Sequence, residues 1–142
     1  MHVVARGLTG LALLIAPAQA SVTELKANRQ GHFVTAAEIN GSTVPVMIDT
    51  GATAVALSFE DAHAAGLRPG SLEFTVPIAT ANGIAFAARV LLDRVEVDGV
   101  RVQDVEGLVL QEGAMRGSLL GMSYLIRLRS FKVEDGILYL KD

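Results

Sequence analysis

Four X-Gly dipeptides, Asn40-Gly41, Asn82-Gly83, Asp98-Gly99 and Asp135-Gly136, stand between runs of alternating apolar and polar residues. Asn and Asp tolerate positive φ, and Gly carries no Cβ to clash there. Such pairs are therefore strong short-range signals for tight β-hairpin turns. Spread along a chain of 142 residues, they point to an all-β domain built from hairpins. No long 3.6-residue apolar pattern competes with them, and no repeat, low-complexity tract or internal linker interrupts the chain. The runs predict strands at 33–39, 44–48, 54–57, 74–79, 84–92, 95–97, 100–105, 107–110, 131–133 and 137–140. Ser58 to Asp61 reads as a capping box, Ser58 bonding forward and Asp61 reaching back, with Gly66 closing a helix of about two turns. A second short helix is expected over 123–127. Residues 21–31 are polar and read as a loose arm.

Half of the chain is hydrophobic, enough for a real core, yet it has no Trp and few aromatics. The core must therefore come from Val, Leu, Ile and Ala. A net charge of −3 without a basic run argues against nucleic acid as a partner. The absence of cysteine excludes disulfides, thiolate zinc sites and a cysteine nucleophile.

The N-terminus carries a compartment signal. A weakly basic start through Arg6 leads into an apolar run centred on Leu11 to Ile15, which Pro17 breaks. Ala18-Gln19-Ala20 then offers the small-x-small pattern of a cleavage site. The run is short for a membrane span, which needs about 20 apolar residues. Residues 1–20 are expected to be an export signal that touches the membrane only in transit. That places the protein in the periplasm; secretion, or an anchor left uncleaved, is the alternative. An arm at 21–30 and one domain at 31–142 complete the expected organisation.

The chemistry centres on Val46-Met47-Ile48-Asp49-Thr50-Gly51-Ala52, where an apolar strand delivers one acid. A carboxylate at the end of a buried strand must be solvated, paired or functional. An ordinary Asp-x-Gly turn is the competing reading. Other sites do not compete well. Gly121-Met122-Ser123-Tyr124-Leu125 lacks the second glycine of a nucleophile elbow. Neither His32 nor His63 has a triad context, and His63 has no second His or Glu at ligand spacing, so it reads as a surface residue. No metal-binding or phosphate-binding motif is present. Asp93, Glu96, Asp98, Asp104 and Glu106 read as a solvated face. One aspartate activates water poorly, whereas two about 3 Å apart share a proton and divide the roles of acid and base. The chain holds one Asp-Thr-Gly, so a second would have to come from a two-fold-related copy.

With those residues in view, the sequence resembles the retropepsin-like aspartic proteases, specifically the bacterial members that carry an export signal. The likeness covers roughly residues 31–142. It rests on the run into Asp49-Thr50-Gly51-Ala52, the Asn82-Gly83 hairpin where a flap belongs, and Leu119-Leu120-Gly121 ahead of a short helix. The resemblance implies a single-lobe β-barrel with two short helices, completed by homodimerisation. It implies that Asp49 of each subunit binds the lytic water, that Thr50 braces the two acid loops, and that Gly51 allows close approach. Ala52 and a flap tip of Thr80, Ala81, Asn82 and Gly83 would hold an extended polypeptide, and Leu119, Leu120 and Gly121 would pack beneath the acid loop. The reaction would be endopeptidic hydrolysis with no covalent intermediate, metal or cofactor. A catalytically silent, peptide-binding module of the cell envelope is the alternative.

Two departures stand out. Met122 replaces the Arg usual in retroviral members, so their dimer salt bridge does not carry over, and the flap has fewer glycines than theirs. Ala52 brings no hydroxyl to the acid, which predicts a milder acid optimum than that of pepsin-like enzymes.

Overall fold

A computed structural model describes residues 20–142. The export signal expected at 1–20 lies outside the described residues, apart from Ala20. Strands β2 (Val34–Ile39) and β3 (Ser42–Ile48) form the first hairpin. Its turn residues have the positive φ values expected of Asn-Gly, 51° at Asn40 and 85° at Gly41. Four further barrel strands follow: β4 (Val55–Leu57), β6 (Gly83–Val97), β7 (Val100–Leu110) and β8 (Ser118–Leu120). They run in the order β2-β3-β8-β4-β7-β6, and pairing of Glu38 with Glu96 and of Ile39 with Val95 closes the ring. Strand β5 (Val76–Thr80) lies outside the ring and pairs only with β6. The fold is thus an all-β barrel of one lobe, as expected, with two short helices, α1 (Phe59–Ala64) and α2 (Met122–Leu125).

The aliphatic residues that the composition singled out fill this barrel. Leu57, Leu92, Val95, Val97, Val105 and Leu120 are wholly buried. Tyr124 is the largest buried side chain, and its hydroxyl donates to the Val100 carbonyl at 2.7 Å. Burial, chiefly, pushes this phenol well above its usual titration range, with Asp142 and Glu96 adding to the shift.

Three features differ from the sequence reading. The segment read as a loose arm contains β1 (Val22–Lys26), which pairs with β10 (Ile137–Lys141). With β9 (Ser130–Glu134) they form a separate three-stranded sheet. A strand with a polar outer face looks like a loop until its partner, more than 100 residues away, supplies the ladder. The runs read as four strands at 84–110 are two long ones. The break at Asp93 and Arg94 is spanned because both N–H groups donate to Asn40 Oδ1, at 2.8 and 3.3 Å. Gly107 continues β7 without breaking it. A Cβ there would lie 3.1 Å from Leu92 Cδ1, so the barrel itself fills the space. Finally, β3–β8 and β4–β7 pair in parallel, which no hairpin signal predicts.

The capping box is also only half as expected. Ser58 Oγ accepts the Asp61 N–H at 3.1 Å. The Ser58 N–H, however, donates to Ser118 Oγ at 3.1 Å, and that hydroxyl donates to Asp61 Oδ2 at 2.6 Å. Ser118 stands between the two ends of the box and ties α1 to β8.

Candidate active site

Asp49 directly follows the last residue of β3, Ile48. Val44 and Val46 face the core, at 1% and 2% exposure, so Pro45 and Met47 lie on the opposite face of the strand that leads into the acid. The backbone then turns at once. The Ala52 N–H donates to the Asp49 carbonyl at 3.2 Å, and the Gly51 N–H donates to Asp49 Oδ1 at 2.8 Å. The second bond orients the carboxylate through a local turn of the kind Asp favours. A Cβ on Gly51 would lie 3.1 Å from that same oxygen, so a side chain here would push the acid aside. Asp49 and Ala52 are half-buried, while Thr50 and Gly51 are exposed.

The Leu-Leu-Gly element supports this loop from below. The Asp49 N–H donates to the Leu120 carbonyl at 3.1 Å, and the Met122 N–H donates to the Ala52 carbonyl at 2.8 Å. Gly121 is where the two segments touch. A Cβ there would fall 2.2 Å from the Ala54 carbonyl oxygen and 2.6 Å from that of Ala52. Leu120 is locked in the main core, whereas Leu119 faces the other way. Leu119 pairs with Met47 across the parallel ladder and packs with Ala56, Ala85, Ala87 and Leu110 in a second apolar cluster.

Ser123, considered from the sequence only as the serine of an incomplete nucleophile elbow, has a structural part instead. Its hydroxyl accepts the Val55 N–H at 2.9 Å and donates to the Glu106 carbonyl at 2.6 Å, so it fixes α2 against β4 and β7. Beside the acid, a cavity of about 270 Å³ is lined by Phe33, Ile48, Thr50, Leu125, Phe131 and Val133, together with Asp49 itself.

The flap residues lie elsewhere in the single chain. Thr80 and Gly83 close the β5–β6 hairpin, with Ala81 and Asn82 at its tip. Thr80 Oγ1 donates to the Gly83 carbonyl at 2.7 Å and accepts the Asn82 N–H at 3.2 Å. Gly83 has a φ of 106°, which favours glycine there. Thr80 and Asn82 border a cavity with Gln111 to Ala114, and no flap residue lines the cavity at Asp49. The chain therefore joins acid loop and Leu-Leu-Gly directly, and the second apolar cluster joins Ile78 and Ala85 of the flap hairpin to Leu119. Among the described residues, no group of three or more His, Asp or Glu is placed to hold a metal ion, and no helix is long and apolar enough to cross a membrane.

A closed single-lobe barrel with an Asp-Thr-Gly loop seated on a buried Leu-Leu-Gly defines the retropepsin-like class of aspartic proteases. The chain belongs to this family: residues 35–127 match the family described as "gag-polyprotein putative aspartyl protease". It is similar to a retropepsin-like aspartic protease from Rickettsia conorii, with 34% identity over 89% of this chain and 96% of that one, at a TM-score of 0.77. The EIAV protease, solved with an inhibitor, shares the fold at 20% identity and a TM-score of 0.59, over 78% of this chain and all of that one. Two uncharacterised proteins are also similar. One, encoded in the cobV 5′ region of a Sinorhizobium species, is 38% identical over 79% of this chain and 48% of its own length. The other, from Rickettsia prowazekii (strain Madrid E), is 37% identical over 78% of this chain and 47% of its own length. The chain thus spans about half the length of the curated relatives it matches.

Proposed function

We propose that the protein is an aspartic endopeptidase that works as a homodimer, each subunit contributing one Asp49. The observation that carries this reading is the seating of Asp49. Its carboxylate is oriented by the Gly51 N–H, its backbone is pinned to Leu120, and the loop carries only one such acid. A second carboxylate about 3 Å away is what lets a water be deprotonated by one acid while the other protonates the amide leaving group. In the proposed dimer, the exposed Thr50 reaches the partner's acid loop.

Substrate would lie extended beside Asp49, as an added strand held mainly by main-chain hydrogen bonds. The water attacks the scissile carbonyl, the tetrahedral intermediate collapses, and the C–N bond breaks with the proton delivered to nitrogen. Ala52 places no hydroxyl beside the acid, so activity should peak in mildly acidic solution; a sharp optimum near about pH 2 would refute this. Export to the periplasm through residues 1–20 belongs to the same proposal, and sequencing the N-terminus of the exported protein tests it.

The deciding experiment pairs the mass of the protein in solution with cleavage of a mixed peptide library. Asp49→Asn should abolish cleavage and leave the barrel intact. Cleavage by the Asn variant sinks the assignment. A strict monomer that binds peptides without cutting them would favour the silent peptide-binding module.

A further inference from the structure

We propose that Gln111 is a positioning residue of the flap, its side-chain amide clasping Phe86 and setting where the flap hinges. The antiparallel register of β6 and β7, ending at Ala87 opposite Leu110, puts Phe86 opposite Gln111. The Gln111 N–H donates to the Phe86 carbonyl at 2.9 Å, as a continued ladder requires. The return bond is unusual. The Phe86 N–H donates to the side-chain Oε1 of Gln111, at 2.7 Å, and not to its main-chain carbonyl. That carbonyl instead accepts the Ala114 N–H at 3.1 Å and opens the turn that carries the chain away, with Gly113 at a φ of 83°. The glutamine side chain thus stands in for a peptide carbonyl, so one residue both ends the ladder and starts the loop.

The position of this clasp gives it consequence. Beyond Phe86, the residues Gly83, Ile84 and Ala85 pair only with β5. Phe86 is therefore the last flap residue hydrogen-bonded across to the end of β7. The loop that Gln111 starts carries Ala114 and Met115, which pack in the second apolar cluster with Ile78 and Ala85 of the flap and with Leu119. Leu119 pairs with Met47, two residues before Asp49. Loop and flap base thus meet in one connected apolar wall that reaches Leu119. The bond is solvent-exposed and made by a side chain with several rotors, so it can open and re-form without disturbing the core.

The functional half of this proposal rests on the peptidase reading, so the test includes a readout that does not. Gln111→Met keeps the shape and loses the acceptor, whereas Gln111→Glu keeps the acceptor at neutral pH. Amide exchange at Phe86 in the full chain should quicken about fivefold in the Met variant, the equilibrium factor of one ordinary hydrogen bond. Exchange at Ala88, inside the barrel, should not change. The Glu variant should restore the Phe86 protection. In peptide hydrolysis, the Met variant should raise KM several-fold with kcat nearly constant, and the Glu variant should return KM toward the original value. Unchanged exchange at Phe86 in the Met variant overturns the clasp. Quickened exchange with unchanged KM overturns its positioning role. If the original protein cuts no peptide, the peptidase reading fails on its own, and the exchange result still decides the clasp.

Discussion

Gly121→Ala tests the seat of the acid loop in one methyl group. The φ of Gly121 is −99°, a value any residue adopts, so backbone conformation costs nothing here. The cost is space. The added Cβ would sit 2.2 Å from one backbone oxygen and 2.6 Å from another, and neither is the far end of a flexible side chain. Overpacking of this kind costs about 1–3 kcal/mol, and contacts with backbone belong at the upper end. Relief requires the Ala52–Ala54 segment to move away, which weakens the 2.8 Å bond from the Met122 N–H to the Ala52 carbonyl and adds about 1 kcal/mol. The total is about 4 kcal/mol. For a domain of this size that lowers the melting temperature by roughly 12–15 °C. Gly117→Ala is the matched control: its Cβ meets nothing within 4 Å and its φ is not positive. Thermal unfolding followed by circular dichroism compares the two. If Gly121→Ala melts within about 3 °C of the control, less than about 1 kcal/mol is at stake and the close approach is not what seats the loop.

Further tests follow from the hydrogen-bond geometry. Ser118→Ala removes the acceptor of the buried Ser58 N–H and the donor to Asp61 Oδ2, and should cost about 2 kcal/mol in denaturant unfolding; a loss below about 0.5 kcal/mol would show that the linked cap contributes little. Gly51→Ala should cut peptidase activity more than stability, since its Cβ crowds Asp49 Oδ1 on an exposed loop, and proportionate losses in both would argue against that. Tyr124 supplies a pH prediction. Its phenol is raised above the unfolded value of about 10 because burial disfavours the phenolate, so its contribution is complete below that value and fades as pH rises above it. Stability should fall above about pH 10, and one of the two tyrosines should ionise only as the chain unfolds. Ionisation of both in still-folded protein near pH 10 would refute this.

The parts of the site that could be read from sequence are those formed by neighbours in the chain. Asp49, Gly51 and Ala52 make their turn among themselves, so the triplet carries its own geometry. Asn40-Gly41 and Asp98-Gly99 fold as hairpins because their φ values are a local property. Leu119-Leu120-Gly121 was legible only as a pattern. Its role depends on Ala52 and Ala54, some 70 residues earlier, whose carbonyls leave no room for a Cβ. Ser118 and Gln111 gave no signal, and Ser123 showed only as an incomplete nucleophile elbow, because a hydroxyl or an amide commits to a partner only when another strand arrives beside it.

The division has one physical cause. Dihedral preference, alternation and turn chemistry act over a few residues, and they determined an all-β chain, its tight turns and the strand that leads into Asp49. Strand order, the two parallel pairings and the recruitment of residues 22–26 to a sheet were decided by the closed barrel and its long-range ladders. Backbone groups that sequence leaves unassigned must find partners once buried. Only the tertiary structure says which partners those are, and it seats Asp49 on Leu120 and Gly121.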